Sequence, residues 1–288
     1  MCACFTRTNS YINIEVASFF PVTIPMSTHF TDATTRFSTK AGVYAKARPR
    51  YPATVVTFLE SQGILHSGST MVDLGSGTGL SAQPFLEAGY PVIGVEPNGP
   101  MRKDGNKHLA AYPNFRSVKG TSEATSLADH STDLVLAAQV FHYFDIDKSR
   151  LEALRILRPP GWFVAMWNHR NHQSTPLHQQ YEAILRRYCP EYLILADLYR
   201  SPSRAAAFFP YGYHDATLPN PQQLNWEIFE ARIESASYIP KPTQPEYARF
   251  MAEMKQLFDA HAHNDTVQFD LEIWIHWGQL CPSARTTA

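Results

Sequence analysis

The sequence predicts an α/β fold, a doubly wound and mostly parallel sheet, on two observations. Between residues 54 and 168, short apolar runs alternate with helical patterns, as in βαβ units whose sheet is covered on both faces. The first of those runs is followed by a turn with glycine at alternate positions (Gly75, Gly77 and Gly79), at the place where open sheets of this kind take up ligands.

Each element follows from its own stretch of chain. The opening of the chain includes IEVASFFPVTIPM, apolar but interrupted by Glu15, Pro21 and Pro25. That run is too short to span a bilayer, and it lacks the basic start and small-residue cleavage site of a secretory signal. Residues 1–36 are therefore expected to form a poorly ordered extension, with Met26 a second candidate start. The runs TMVDL, PVIGVEP, FRSVKG, DLVLAAQV and WFVAMWN are each short, rich in β-branched or aromatic residues and punctuated by Gly, Pro, Asn or Asp. They are read as five parallel strands in a core spanning 37–170. Between the fourth and fifth, DKSRLEALRILRPPG reads as a crossover helix with Leu151, Leu154 and Leu157 on one face and prolines at its end.

Residues 171–288 read differently. Leu177, Tyr181, Ile184, Leu185 and Tyr188 recur at helical spacing, and a loop is expected from about Ser201 to Gly212. DATLPNPQQLN suggests a strand, WEIFEARIESAS and PEYARFMAEMKQLFDAHA amphipathic helices, and TVQFDLEIWIHWGQL a closing strand. Two late strands enclosing helices imply an antiparallel hairpin at the sheet edge carrying a lid-like helical insertion.

Composition limits the function. With 288 residues, 44% of them hydrophobic and 12% aromatic, the chain can bury a full core. A formal net charge of -1 supplies no basic field for nucleic acid or an anionic membrane. Cys2, Cys4, Cys189 and Cys281 form neither a CxxC pair nor a dense framework, which suits reduced thiols in a cytoplasmic protein. HRNH (His169 and His172) lacks the i, i+4 spacing of a zinc pair and has no carboxylate nearby in sequence. His178, His261 and His263 read the same way, so no metal is expected.

Three glycines in five positions call for positive φ or for something pressed against the backbone. Removing side chains there lets amides and a helix N-terminus face an anionic or polar group. Glu96 ends the second strand 19 residues beyond Gly77, where a carboxylate accepts both hydroxyls of a ribose. A G-x-G-x-x-G dinucleotide fingerprint would need glycine at Leu80, and no Gly-Lys-Ser/Thr follows for a phosphate loop. Asp73 before the turn suits an ammonium, reached directly or through water. Adenosine at one end and a zwitterionic amino acid at the other describe S-adenosylmethionine.

From about Phe37 onward the sequence resembles the class I S-adenosylmethionine-dependent methyltransferases, in particular the small-molecule group related to ubiquinone/menaquinone and trans-aconitate methyltransferases. VDLGSGTG, VIGVEPN with Met101 just beyond, GTSEATSL, DLVLAAQVFHYF and LRPPGW carry the resemblance, in that order. It implies a Rossmann-like, doubly wound seven-stranded sheet with its last strand antiparallel. By the same similarity Gly75, Ser76, Gly77, Thr78 and Gly79 would line the methionine part, Glu96 would hold the ribose, and Pro97 and Met101 would sandwich adenine. Thr121 and Ser122 would meet the adenine edge, where such proteins often carry Asp-Ala, and Gln139 would lie under the sulfonium. Two departures stand out. Pro160 replaces the middle glycine of the usual Pro-Gly-Gly turn, which implies a shifted start to the fifth strand. Pro84 falls inside the expected first helix.

The resemblance implies methyl transfer to a small organic acceptor, a displacement that needs alignment and exclusion of water rather than a nucleophilic side chain. His142 is the candidate general base, against the plainer reading of a packing histidine. Phe141, Tyr143, Phe144 and Trp167 either wall an apolar acceptor pocket or belong to the core. In YAKARPRYP, Tyr44, Arg48 and Tyr51 stand before the sheet, where resembling proteins cover the cofactor. Arg48 there either pairs with a carboxylate of cofactor or substrate or sits in a solvated basic turn. Two other functions compete: a noncatalytic protein that keeps the fold, and an NAD-linked oxidoreductase.

Overall fold

The computed structural model describes residues 48–190, 192, 202–236 and 238–281. The expected extension over 1–36 and the candidate Tyr44 lie outside them. Among the described residues the elements run α1 (Thr54–Ser61), β1 (Met71–Leu74), α2 (Gln83–Glu87), β2 (Val92–Val95), α3 (Gly99–His108), β3 (Phe115–Val118), β4 (Thr132–Ala138), α4 (Ile146–Ile156), β5 (Leu157–Arg170), α5 (Pro176–Tyr188), α6 (Pro202–Phe208), β6 (His214–Pro219), β7 (Gln222–Leu224), α7 (Trp226–Glu234), α8 (Glu246–His261), β8 (Val267–Phe269) and β9 (Leu271–Gln279).

Seven strands form one sheet in the order β3-β2-β1-β4-β5-β9-β6. The first five are parallel, and β9 runs antiparallel between β5 and β6. Period-2 alternation assigns the side chains to faces. Met71, Leu134, Leu136, Val164 and Met166 pack with α1 and α2 on one side. Val72, Leu74, Val135, Ala137, Phe163 and Ala165 pack with α4 and α6 on the other. A sheet covered on both faces needs nearly continuous apolar strands, and all four residues of MVDL are buried.

The region between β6 and β9 has a core of its own, to which α5 contributes. Leu177, Tyr181 and Leu185 of α5 meet Phe229 of α7, Phe250 and Met254 of α8, and Phe269 of β8, while β7 and β8 form a separate antiparallel pair. Local polar residues start these helices: Asn98, Asp145, Thr175 and Asn225 each accept a backbone N–H from three residues on.

Several expectations are corrected. Residues 202–208 form α6 rather than a loop, because Pro202 opens the first turn, Ala205–Ala207 favour helix, and Ala205 and Phe208 are buried. The buried face of α4 is Ser149, Ala153 and Ile156; Leu151 is 64% exposed and Leu157 already belongs to β5. Pro84 lies in the first turn of a helix that starts at Gln83, where its missing N–H costs no helical bond. DATLPNPQQLN splits into β6 and β7 at Asn220, whose amide group bonds Arg50 O and Asn168 Oδ1. The expected closing strand splits into β8 and β9 at Asp270, whose N–H goes to His178 Nε2 at 3.0 Å. Around Pro160 the pairing jumps from Thr132↔Leu157 to Leu134↔Trp162, so the RPPG stretch bulges out of the start of β5.

Candidate functional site

A cavity of about 490 Å³ opens over the carboxyl ends of β1, β2, β4 and β5, within the usual size range of ligand sites. Gly75, Ser76, Gly77, Thr78, Glu96, Pro97, Met101, Thr121, Ser122 and Gln139 line it, as do Arg48, Tyr143, Phe144 and Trp167. Residues as far apart in sequence as Arg48 and Trp167 thus meet on one surface, because parallel strands bring their carboxyl ends to one edge.

The glycine turn is held by its neighbours. Gly75, Gly77 and Gly79 have φ of 66°, 54° and 82°. A Cβ on Gly75 would lie 2.8 Å from Val140 Cγ1, and one on Gly79 would lie 2.5 Å from Leu109 Cδ1. Gly79 therefore supports the turn from behind and does not line the cavity. Two glycines that sequence reasoning passed over do related work. A Cβ on Gly94 would meet Ser76 Oγ at 2.6 Å, and one on Gly105 of α3 would meet Gly77 O at 2.9 Å. A glycine inside a helical pattern was the available signal for Gly105.

Four amides of the loop, those of Gly75, Ser76, Gly77 and Gly79, are already engaged within the fold rather than facing a ligand as expected. Gly75 and Ser76 donate to Val95 O and Gly79 to Ser76 O. Gly77 donates to Glu96 Oε2 at 2.9 Å, and the helix that follows starts only at Gln83. Glu96 also accepts the Asn98 N–H on Oε1 at 2.8 Å. Each carboxylate oxygen thus spends one lone pair on a backbone amide and keeps another. Burial raises the Glu96 pKa, against the lowering effect of those amides and Arg102.

Asp73 is fully buried and does not line the cavity, so of the two expected routes to an ammonium the direct one is closed. Its Oδ2 accepts from Ser81, a cavity residue, at 2.6 Å, and its Oδ1 is buried with no hydrogen-bond partner among the described residues. Burial, partly offset by Ser81 and reinforced by Glu96, pushes the Asp73 pKa up to about 7.

Gln139 sits at φ 60°, a conformation disfavoured for a residue with a Cβ. Its N–H donates to Met166 O and its Nε2 to Asn168 O at 3.0 Å, which fixes the amide oxygen as the acceptor end of the side chain. Ser122 donates to Glu123 Oε1 at 2.8 Å, and Glu123, also at the cavity, had no signal of its own.

His142 and Phe141 are corrected. His142 is 7% exposed and absent from the cavity wall. Burial and then the Arg204 charge lower its pKa to about 3, so it is neutral at physiological pH and a weak base. Phe141 belongs to the core, with ring centroids 5.0 Å from Phe208 and 5.9 Å from Trp167. Arg48 lines the cavity and donates to Ser235 O at 2.9 Å, so the solvated-turn reading does not hold.

The far half of the cavity was missed. Arg170, Tyr181, Tyr192, Arg232, Tyr238 and Trp274 line it, contributed by the end of β5, the α5 and α7 helices and neighbouring segments. No motif marks them, since they meet only when α5 and α7 close over the sheet. Among the described residues there is no group of three or more His, Cys, Asp or Glu placed for a metal, and no helix long and apolar enough to cross a membrane.

Residues 72–165 match the family model for a methyltransferase domain. An uncharacterized methyltransferase-like protein of Schizosaccharomyces pombe is 29% identical over 77% of this chain and 85% of its own length. An uncharacterized methyltransferase of Mycobacterium tuberculosis is 33% identical over 49% of this chain and 55% of its own. Among solved structures, a protein described as a type II methyltransferase from Anaeromyxobacter dehalogenans superposes with a TM-score of 0.56 at 18% identity, covering 82% of this chain and 99% of that one. Identity that low speaks for the fold alone.

Proposed function

We propose that this chain, whose residues 72–165 match the methyltransferase domain family model, is a class I S-adenosylmethionine-dependent methyltransferase that binds S-adenosylmethionine in the half of the cavity at β1, β2 and β4 and methylates a small organic acceptor in the other half. The observation that carries the reading is Glu96, oriented at the tip of β2 by the amides of Gly77 and Asn98 with a lone pair left on each oxygen. Two adjacent hydroxyls of a ribose match that arrangement. Pro97 and Met101 offer apolar contact for adenine, beside Thr121 and Ser122. Behind Ser81, the unsatisfied Oδ1 of Asp73 fits an ammonium reached through water.

When bound, the cofactor supplies a methyl carbon activated by positive sulfur. The protein's own task is to align the acceptor, keep water out and present acceptor dipoles, among them the Gln139 amide oxygen, to positive charge. Nothing in that task needs His142. Titration calorimetry with S-adenosylhomocysteine tests the reading: micromolar binding to the full chain, lost in Glu96→Ala, is expected. Methyl-labelled cofactor incubated with a metabolite extract then tests turnover, and failure of both measurements rejects the proposal.

A further inference from the structure

Asp73 carries an acidic group into a place that water does not reach. Its strand lies between β2 and β4, where the register sets Gly94 and Leu136 beside it, and neither brings a polar side chain. Alternation along β1 puts Asp73 on the face of Met71, which α1 and α2 cover. The acidic residues of those helices, Glu60 and Glu87, are exposed and accept from Tyr90 and Gln83. The segment before α2 supplies Ser81, whose hydroxyl donates to Oδ2 at 2.6 Å, while Oδ1 is buried with no hydrogen-bond partner among the described residues. The charged group that acts on Asp73 is Glu96, a second carboxylate, at the tip of β2.

A carboxylate in such surroundings holds its charge only with several donors, and one hydroxyl is too few. Burial and a like-charged neighbour both favour the neutral carboxyl, in accord with a pKa pushed up to about 7. Glu96 is better compensated, since the amides of Gly77 and Asn98 donate to it and Arg102 attracts it. Ser81 connects Asp73 to the cavity: it lines the space, and its oxygen keeps lone pairs after the bond to Oδ2. An ammonium bonded to that oxygen, or to a water beside it, reverses the balance, because an opposite charge within about 4–6 Å favours the ionised carboxylate.

We propose that Asp73 is a neutral carboxyl before the cofactor arrives and ionises as the ammonium of S-adenosylmethionine settles against Ser81, so that binding expels one proton to solvent. This rests on the methyltransferase reading above and names how pH governs that same site. The O–H bond of the carboxyl breaks, its electron pair stays on Asp73 and the proton goes to buffer; none is taken from the ammonium. S-adenosylhomocysteine carries the same ammonium, so Asp73 regains its proton when product leaves. A nucleoside without the amino-acid end leaves Asp73 neutral and gains nothing from it, which favours the cofactor over plain nucleosides.

Titration calorimetry of the full chain with S-adenosylhomocysteine, repeated in buffers of different ionisation enthalpy, counts the protons released on binding. Close to one is expected at pH 6 and about half at pH 7, with affinity rising about fivefold between them. Methylthioadenosine, which keeps the adenine, ribose and thioether but has no amino-acid end, should bind with no release. Equal release with both ligands assigns the proton to a group at the nucleoside, Glu96 foremost, and overturns the proposal. Binding of S-adenosylhomocysteine with no release at pH 6 overturns it equally.

Asp73→Asn keeps the shape of the neutral carboxyl and cannot ionise. It should bind S-adenosylhomocysteine with no proton release and with an affinity that stays level from pH 6 to 7, below that of the parent at pH 7. Thermal unfolding at pH 6 checks that the variant folds, and the comparison of the two ligands on the parent stands whether or not it does. Glu96→Gln, weaker in the ribose contact, should still release most of the proton. Release from Asp73→Asn equal to that of the parent, or none from a Glu96→Gln protein that binds, moves the proton away from Asp73 and overturns the proposal. Failure of the methyltransferase reading looks different: the parent binds neither S-adenosylhomocysteine nor methylthioadenosine.

Discussion

The backbone N–H of Gly77 donates to Glu96 Oε2 at 2.9 Å across 19 residues of sequence, so the glycine turn and the tip of β2 are one unit. Removing the carboxylate therefore disturbs both. Glu96→Ala is expected to weaken S-adenosylhomocysteine binding by about 2–4 kcal/mol, the loss of two charge-assisted hydrogen bonds. Glu96→Gln, which keeps one carbonyl oxygen, should lose less. Calorimetry on both variants checks the order; equal affinities for parent and Glu96→Ala would remove the ribose role.

Gly79 faces away from the cavity, and its substitution should act on stability. Alanine there takes the strain of φ +82°, about 1–2 kcal/mol. It also drives a Cβ to 2.5 Å from Leu109 Cδ1, which adds about 1–3 kcal/mol of overpacking. Gly89 has φ +90° with nothing within 4 Å of an added Cβ, so Gly89→Ala carries the strain alone. Urea unfolding should rank Gly79→Ala below Gly89→Ala, and Gly79→Ala combined with Leu109→Val should recover part of the difference.

The contrast between these glycines and the arginines marks how far the sequence could be read. Strands β1 to β5 were legible because a sheet buried on both faces demands apolar runs, and Gly75, Gly77 and Glu96 because a tight turn and a strand tip leave local signatures. The amides of Gly75, Ser76, Gly77 and Gly79 depart from expectation since Val95 O, Ser76 O and Glu96 claim them, which only the folded register reveals. Leu151 followed helical spacing and yet points to solvent, because the sheet selects Ala153 and Ile156 instead. Arg170, Arg232 and Tyr238 left no signal at all: α5, α7 and β8 meet through Tyr181, Phe229 and Phe269, Arg170 at the end of β5 lies over Tyr181, and the meeting makes the pocket.

Phe141 adjoins the cavity wall through Trp167 and Phe144 yet packs as core. Phe141→Ala should cost about 3–5 kcal/mol of stability, as large core truncations do. The effect on KM for the acceptor should be small beside it. Thermal denaturation together with steady-state kinetics at a temperature where the variant is folded separates the two readings.

Asp73 and His142 should tilt the pH dependence of stability in opposite directions. Asp73 has its pKa raised from 3.8 to about 7 in the folded protein. Between those values the native state holds a proton that the unfolded chain has lost, so this group makes stability fall as pH rises, and Asp73→Asn should remove that fall. His142 is lowered from 6.5 to about 3, so across that window the unfolded chain binds the extra proton. Its contribution is present above about 6.5 and is lost as pH drops toward 3. His142→Phe should flatten that acid-side loss and leave the pH profile of kcat unchanged, because a buried neutral imidazole outside the cavity takes no proton from the acceptor. Urea titrations from pH 4 to 8 measure both slopes. A kcat profile that shifts in His142→Phe would return the histidine to catalysis.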